Sequence, residues 1–293
     1  MPFLEIRGVD HYYEWIGQPG QLVPSGKPVM VFIHGWAGST RYWQSTALAL
    51  ANQFDCLLYD MRGFGRSHLP RPIPEAVANL GYGLDTFADD LALLLDALGL
   101  DRVYLNAHST GGSVAVLFVN HYPQRVERAI LTCNGVFEYQ AIAFKLFHFF
   151  SRYVVAFRPS WLAKIPQVDR LFMARFLHRP LPTTVNRAFL EDFLMADYEV
   201  ALGTVYTAVS QKAAEEMPQE FAHIQVPTLL ISGEYDQIIP AKLGQNAAAL
   251  NEKFVQHQVI PKTAHFPMLE DAETYLGSVM QFLGMGEPSM VNH

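Results

Sequence analysis

The sequence predicts an α/β fold, in which a mostly parallel sheet is covered by helices on both faces and interrupted by one helical insertion. Short apolar runs alternate with amphipathic stretches over residues 29–134 and again over 227–283. This alternation is typical of parallel strands joined by helical crossovers. It stops between residues 136 and 218, where aromatic residues are frequent and no strand pattern appears. We therefore expect a core formed by residues 1–135 and 219–293, and a helical cap formed by residues 136–218.

The strands follow from short runs of β-branched and aromatic residues. Residues 3–7 and 11–16 are expected to form short antiparallel strands. Further strands are predicted at residues 29–33, 55–59, 102–106, 129–132, 227–232 and 254–260.

Helices are predicted between these strands. The clearest covers residues 86–98, because Phe87, Leu91 and Leu95 recur at helical spacing and Asp89 and Asp90 lie near its positive N-terminal end. The other predicted helices cover residues 41–51, 112–121, 241–250 and 272–283. Residues 286–293 show no such pattern and are expected to fray.

A serine lies at the apex of the predicted turn between the strand at 102–106 and the following helix. Residues 107–111 read Ala-His-Ser-Thr-Gly, a variant of the G-x-S-x-G pattern in which Ala107 replaces the first glycine. Such a turn lifts the Ser109 hydroxyl clear of the sheet, and it places the Thr110 backbone N–H beside it. The pattern predicts a nucleophile next to an oxyanion donor.

A serine nucleophile needs a histidine base, and a carboxylate that orients the histidine. Two later strands end in loops that carry Asp236 and His265, and the order serine, acid, histidine fits this architecture. We therefore predict that Ser109, Asp236 and His265 form a catalytic triad. Glu234 is close enough in sequence to Asp236 to remain an alternative acid.

Five segments together resemble the α/β-hydrolase superfamily, specifically its cap-bearing serine hydrolase and esterase branch, and the resemblance covers nearly the whole chain. They are residues 34–39 (His-Gly-Trp-Ala-Gly-Ser), 60–67 (Asp-Met-Arg-Gly-Phe-Gly-Arg-Ser), 107–111, 236–240 and 264–270. The resemblance implies an eight-stranded, mostly parallel sheet. It also implies that the backbone N–H groups of Trp36 and Thr110 form the oxyanion hole, and that the loop at 60–67 is structural.

The resemblance also separates residue roles near the site. Some relatives carry their acid after the strand that here ends at Asn134, but an amide cannot stabilise an imidazolium by charge, which favours Asp236. The resemblance gives His34 a structural role, and the turn directs the His108 side chain away from Ser109, which favours packing or loop hydrogen bonding over catalysis. Residues expected to line a substrate pocket are Trp36, His108, Phe144, Phe147 and Phe266.

Composition excludes some classes of function. The 293 residues carry a formal net charge of −7, which disfavours nucleic-acid binding. No spacing of residues resembles a metal site, and catalysis by a Ser-His-Asp triad requires no cofactor. Cys56 and Cys133 lie in apolar runs and are expected to be free thiols. The N-terminal residues lack an apolar core of signal-peptide length, so a cytoplasmic location is expected.

The expected reaction is hydrolysis of a hydrophobic carboxylic ester, thioester or lactone through an acyl-serine. Cofactor-free haloperoxidase or perhydrolase activity and C–C bond hydrolysis remain alternatives, and so does a receptor-like protein with slow turnover. The expected partner is a small acyl substrate. Residues 138–180 contain seven Lys or Arg residues against Glu138 and Asp169, so contact with an anionic membrane or a carrier-linked acyl substrate is a further hypothesis, alongside a merely solvated face. The sequence does not indicate an oligomeric state.

Overall fold

The computed structural model describes residues 3–18, 20 and 22–285. The predicted fray of residues 286–293 lies outside these residues. Eight strands form one sheet: β1 (Phe3–Ile6), β2 (Val9–Ile16), β3 (Val29–Ile33), β4 (Asp55–Tyr59), β5 (Val103–His108), β6 (Val126–Thr132), β7 (Thr228–Gly233) and β8 (Val255–Ile260).

The strand order is β1-β2-β4-β3-β5-β6-β7-β8. β2 pairs antiparallel with both β1 and β4, whereas every pair from β4 through β3 to β8 is parallel. The predicted α/β class with a mostly parallel, eight-stranded sheet is therefore confirmed.

Helices connect the strands and cover the sheet. Within the described residues they are α1 (Gln44–Leu50), α2 (Glu75–Ala78), α3 (Leu84–Ala97), α4 (Thr110–His121), α5 (Ala141–Ala156), α6 (Val168–Met173), α7 (Thr183–Met195), α8 (Tyr198–Ala208), α9 (Gln211–His223), α10 (Ala241–Ala249), α11 (Pro267–Glu270) and α12 (Ala272–Leu283).

The central strands are apolar throughout because both of their faces are buried. In β3, Val29, Val31 and Ile33 face a cluster that includes residues of α3 and α4. Met30 and Phe32 point to the opposite cluster, which includes residues of α1 and α12. Side chains alternate between the two faces of a strand, so one apolar run supplies both cores.

Some element boundaries differ from the predicted ones. The helix predicted at 41–51 begins with a 3₁₀ turn, Thr40–Trp43, in which the Ser39 side chain accepts a hydrogen bond from the Arg41 N–H. The short helix α2 was not predicted. Residues 136–218 contain helices and no strand among the described residues, but position 218 falls inside α9. Since α9 packs on α4 and α10, it lies with the core helices.

A buried carboxylate joins the cap to the core. Asp192 on α7 accepts hydrogen bonds from the Ser39 hydroxyl at 2.7 Å and from Arg41 Nε at 2.9 Å. Only 1% of Asp192 is exposed. Burial raises the pKa of this carboxyl to about 6, although Arg41 acts in the opposite direction.

The raised pKa of Asp192 predicts how stability depends on pH. Between pH 4 and 6 the folded protein binds a proton at Asp192 that the unfolded chain, with a pKa of about 3.9, has released. The contribution of Asp192 to the free energy of unfolding therefore falls as pH rises through this window, by about 2 to 3 kcal/mol in total. We expect Asp192→Asn to remove this pH-dependent part of the free energy of unfolding. Chemical denaturation of both proteins at pH 4, 5, 6 and 7 measures the difference. Parallel pH profiles for the two proteins would contradict the assignment.

Candidate active site

Ser109 occupies a strained turn between β5 and α4. Its backbone has φ +52° and ψ −122°, and positive φ is uncommon for residues other than glycine. The Ser109 N–H donates to the Thr132 carbonyl at 2.8 Å, and its own carbonyl accepts from the Gly112 N–H at 2.8 Å. The turn therefore joins the end of the sheet directly to the first turn of α4.

Close packing holds this turn in place. A Cβ atom at Gly111 would lie 2.3 Å from the His34 carbonyl oxygen, so only glycine allows the helix to approach this closely. From the other side, Asn134 Nδ2 donates to the Ser109 carbonyl at 2.8 Å and to Ser113 Oγ at 2.9 Å. Asn134 thus supports the turn through its amide, at the position where the acid of some relatives is expected.

The structure brings Ser109, His265 and Asp236 together. His265 Nε2 lies 3.1 Å from Ser109 Oγ, and His265 Nδ1 lies 2.7 Å from Asp236 Oδ2. The other carboxylate oxygen of Asp236 accepts the N–H groups of Ile238 and Ile239 at 2.8 and 3.0 Å. Both oxygens of Asp236 thus have hydrogen-bond partners, and these bonds hold Oδ2 against the His265 imidazole.

Glu234, the alternative acid, points elsewhere. Its side chain is exposed, and its Oε2 accepts the Lys262 backbone N–H at 2.8 Å. Asp236 has a buried side chain and contacts the His265 ring directly. The geometry therefore favours Asp236.

The loop after β3 lies against the turn at Ser109. A hydrogen bond from the Gly38 N–H to the Gly35 carbonyl at 3.1 Å closes this loop, and Ala37 has φ +52°. A Cβ atom at Gly35 would lie 3.2 Å from Ser109 Cβ. Within the described residues, the N–H groups of Trp36 and Thr110 find no acceptor. Two backbone donors are therefore available beside the serine.

His34 is a structural residue of this loop. It is fully buried, its Nε2 accepts the Met61 N–H at 2.8 Å, and its Nδ1 donates to the Gly35 carbonyl at 2.8 Å. Burial lowers the pKa of His34. Its neutral ring thus joins the loop after β3 to the loop after β4.

His108 belongs to a buried hydrogen-bond chain. The Gly35 N–H donates to the Tyr42 hydroxyl at 2.5 Å, Tyr42 donates to His108 Nδ1 at 3.1 Å, and His108 Nε2 donates to the His265 carbonyl at 2.7 Å. Burial lowers the pKa of His108 well below its usual value. Both ring nitrogens therefore take part in holding the loop after β3 and the His265 backbone, and neither is free to bind substrate.

The other residues predicted to line a pocket are dispersed. Trp36 is half-buried at the site, and its indole N–H donates to the Ala201 carbonyl at 2.9 Å. Phe266 is buried behind the site, where its ring packs on Phe189. Phe144 lines a cavity of about 20 Å³ near Ser113, and Phe147 lies on α5 with 45% of its surface exposed. Phe266 also packs on the His265 ring, with centroids 5.4 Å apart. Trp36 and Phe266 therefore lie beside the triad, and the pocket assignment stays a prediction.

Three phenylalanines that were not predicted also lie next to the site. Phe176 packs on the His265 ring with centroids 6.1 Å apart, and Phe193 packs on Trp36 at 6.0 Å. Phe172 bridges them, at 5.9 Å from Phe176 and 5.0 Å from Phe193. They come from α6, α7 and the segment between them. They are three of many aromatic residues in the cap, and nothing in the sequence distinguishes them from the others.

Glu270 ties the His265 loop to the cap. Its Oε1 accepts the N–H groups of Ala264 and Phe266, and its Oε2 accepts those of His178 and Arg179, at 2.7 to 3.3 Å. The Phe176 carbonyl also accepts the His265 N–H at 2.9 Å. The position of the His265 loop therefore depends on the segment of the cap at residues 176–179.

His108, Cys133 and His265 bring three potential metal ligands within 4.8 Å of one another. Cys133 Sγ, however, donates to the Ala264 carbonyl at 3.7 Å, and burial raises the pKa of this thiol well above its usual value. The two histidines are hydrogen-bonded as described above. A metal ion would have to displace this network to bind here.

Comparisons with known proteins agree with the fold described above. The sequence profile described as "alpha/beta hydrolase fold" matches residues 28–272. The chain is 25% identical to a non-heme haloperoxidase of Rhodococcus erythropolis, over 97% of this chain and 99% of that protein. A thermophilic esterase from Thermogutta terrifontis superposes with a TM-score of 0.75 at 22% identity, over 96% of this chain and 98% of that one. An enol-lactonase from Burkholderia xenovorans gives a TM-score of 0.73 at 20% identity, over 97% and 100%.

The family profile covers more than half of the chain, and the mostly parallel eight-stranded sheet agrees with it. This protein therefore belongs to the α/β-hydrolase fold family, and its family and site support a hydrolase.

Proposed function

We propose that this protein is a serine hydrolase that cleaves a hydrophobic carboxylic ester, or a related thioester or lactone, through an acyl-serine intermediate. The observation that carries the proposal is the hydrogen-bond relay from Ser109 Oγ to His265 Nε2 at 3.1 Å, and from His265 Nδ1 to Asp236 at 2.7 Å. The strained backbone at Ser109 directs the hydroxyl into this relay. A relay of this geometry activates a hydroxyl for nucleophilic attack.

The relay assigns a proton path. With Nδ1 donating to Asp236, His265 Nε2 is the acceptor for the Ser109 proton as the oxygen attacks the substrate carbonyl. The Trp36 and Thr110 N–H groups receive the oxyanion that develops. Collapse of the tetrahedral intermediate breaks the bond to the leaving group, which takes the proton from His265. Water, deprotonated by the same nitrogen, then releases the acid and regenerates Ser109.

The walls of the site favour an apolar acyl group. Phe176 packs on the His265 ring, and Phe172, Phe193 and Trp36 extend this aromatic surface away from it. Aromatic surface excludes water and gains free energy when alkyl groups are buried against it. The acyl chain, rather than a charged group, therefore provides recognition.

The same acyl-serine accommodates a second reaction. The 25% identical relative is named a non-heme haloperoxidase, and hydrogen peroxide in place of water would release a peracid from the acyl-serine. Multiple turnover on an ester would distinguish either enzyme from a receptor-like protein. Comparing acid and peracid yields with and without peroxide would distinguish the two enzymes.

We propose the cytoplasm as the location. Cys56 and Cys133 are both buried and both free. Free thiols persist where the redox environment is reducing.

Replacement of the nucleophile is the most direct test. Alanine retains Cβ, so Ser109→Ala leaves the turn intact and removes only the attacking oxygen. We expect turnover of p-nitrophenyl butyrate to fall by about 10⁴- to 10⁶-fold, and labelling by a fluorophosphonate to disappear. Retention of more than about a tenth of the activity would disprove the assignment.

The acid is tested with a matched pair of variants. Asp236→Asn keeps the shape of the side chain but favours the wrong tautomer of His265, and we expect kcat to fall by about 10⁴-fold. Glu234→Gln makes the same chemical change two residues away, where the carboxylate is exposed, and we expect it to change kcat by less than about threefold. A larger fall in kcat for Glu234→Gln than for Asp236→Asn would assign the role of triad acid to Glu234.

The aromatic walls predict a preference for long acyl chains. Each methylene buried contributes about 0.8 kcal/mol, so two added carbons raise kcat/KM by about tenfold until the space is filled. The measurement is kcat/KM for p-nitrophenyl esters from acetate to octanoate. If this series is flat or falls, the walls enclose only a small acyl group.

A further inference from the structure

Helix α5 contacts the rest of the protein through one narrow stripe. Phe144, His148, Ser151 and Val155 are buried or half-buried, and they recur every three or four residues along a single side. His148 Nε2 makes a 2.5 Å hydrogen bond to the Val209 carbonyl, and its ring packs on Tyr206. The remainder of the helix faces outward.

The side opposite this stripe is apolar along its whole length. At 100° per residue, every position within about 60° of the outward direction is apolar, and each side chain there is between 53% and 78% exposed. These residues, called the outer face below, are Ile142, Leu146, Phe149, Phe150, Tyr153 and Phe157. These positions recur every three or four residues, so successive side chains are neighbours along the helix. Ring contacts of 5.0 to 6.4 Å also link Phe149 to Phe150 and Tyr153, and Phe157 to Trp161. Isolated exposed apolar residues are ordinary, but a continuous exposed patch marks an interaction site.

Cations border the outer face. Lys145 and Arg152 lie along one flank of α5, and Lys164, Arg170 and Arg175 follow in the next segment; all five are exposed. Within the described residues, no carboxylate forms a salt bridge with any of them. The one acid between positions 141 and 180, Asp169, is buried.

The charge of this region is opposite to that of the remainder of the chain. Residues 138–180 contain seven Lys or Arg residues and two acidic residues, a net charge of +5. Because the whole chain has a net charge of −7, the other residues carry −12. This part of the molecule therefore differs in sign from the remainder of the chain and favours contact with an anionic surface.

We propose that the outer face of α5 docks this protein on an anionic lipid bilayer. The apolar side runs along the 16 residues of α5, about 24 Å, and burying it in the bilayer surface requires the helix to lie in the plane of the interface. Its aromatic side chains enter the boundary between headgroups and acyl chains, and the bordering cations contact lipid phosphates. No helix in the described part of the chain is long and apolar enough to cross a membrane.

Charge favours a bilayer over a second copy of this chain. A symmetric contact between two outer faces would bring the unpaired cations of both copies together and leave them without counter-charges. A small acidic carrier protein would neutralise the cations, but a continuous apolar helix face matches an acyl interior better than it matches an acidic protein surface. The bilayer alone offers anions and apolar volume together along the full length of α5.

The test is sedimentation of the full-length protein with vesicles of phosphatidylcholine and phosphatidylglycerol in equal amounts, compared with vesicles of phosphatidylcholine alone, at 50 and 500 mM NaCl. We expect at least tenfold stronger partitioning onto the anionic vesicles at low salt, and weaker partitioning at high salt. Absence of binding to anionic vesicles at low salt, or equal binding to both kinds, would refute the proposal.

Two double variants separate the two parts of the surface. Lys145→Gln with Arg152→Gln removes two bordering cations, each contributing about 1 kcal/mol, and we expect about 30-fold weaker partitioning. Phe149→Ser with Phe150→Ser removes outer-face area without touching the core, and we expect at least tenfold weaker partitioning. The control, Lys242→Gln with Lys253→Gln, makes the same change in net charge on the core and should bind like the unaltered protein. An equal loss in this control would reduce the effect to net charge and overturn the proposal.

The docking does not depend on the proposed chemistry. The Ser109→Ala variant should bind vesicles as the unaltered protein does, and the two α5 variants should hydrolyse a water-soluble ester normally. Circular dichroism and thermal unfolding confirm that each variant is folded. If the protein instead sediments as a dimer that Phe149→Ser with Phe150→Ser dissociates, and vesicles do not bind, the outer face is a contact between copies and the bilayer proposal is wrong.

Discussion

The strained backbone at Ser109 is the constraint on which the rest of the site depends. A residue other than glycine keeps a positive φ only where its surroundings leave no relaxed alternative. Here the sheet supplies the Thr132 carbonyl, the Asn134 amide holds the carbonyl of the turn, and Gly111 lets α4 approach the loop after β3. The cost of the strain is met by packing in the core. As a result, the hydroxyl leaves the sheet at the edge where the carboxyl ends of the parallel strands lie.

Buried hydrogen bonds extend this order outward from the serine. His108 connects the loop after β3, through Tyr42, to the backbone of His265, so the oxyanion donors and the base are held relative to one another. Glu270 uses both carboxylate oxygens to fix the same histidine loop to the cap. A buried polar group stabilises a single arrangement only when its partners are all present. The cap is therefore part of the active-site framework as well as its cover.

The cap divides its aromatic residues between two environments. Phe172, Phe176 and Phe193 form a connected aromatic cluster that contacts His265 and Trp36, whereas the outer face of α5 is exposed and flanked by Lys145 and Arg152. The first group suits an acyl chain, and the second suits the surface from which acyl chains come. In our two proposals, a single inserted segment supplies both kinds of recognition.

The sequence by itself determined the α/β class, the alternation of strands and helices along the core segments, and the motif positions of Ser109, Asp236 and His265. These features depend on local periodicity and on short turns. The sequence already favoured Asp236 over Glu234, but the direction of each carboxylate, with Asp236 on the His265 ring and Glu234 on the Lys262 N–H, is visible only in the structure. The roles of His108 and Glu270 were also decided in three dimensions, through partners as far as 157 positions away. Likewise, apolar side chains in the cap have no property in the sequence that shows which of them face the site. The packing of α5 through one stripe decided that Phe149 and Phe150 face outward. The packing of the later cap segments decided that Phe176 contacts His265 and that Phe193 contacts Trp36.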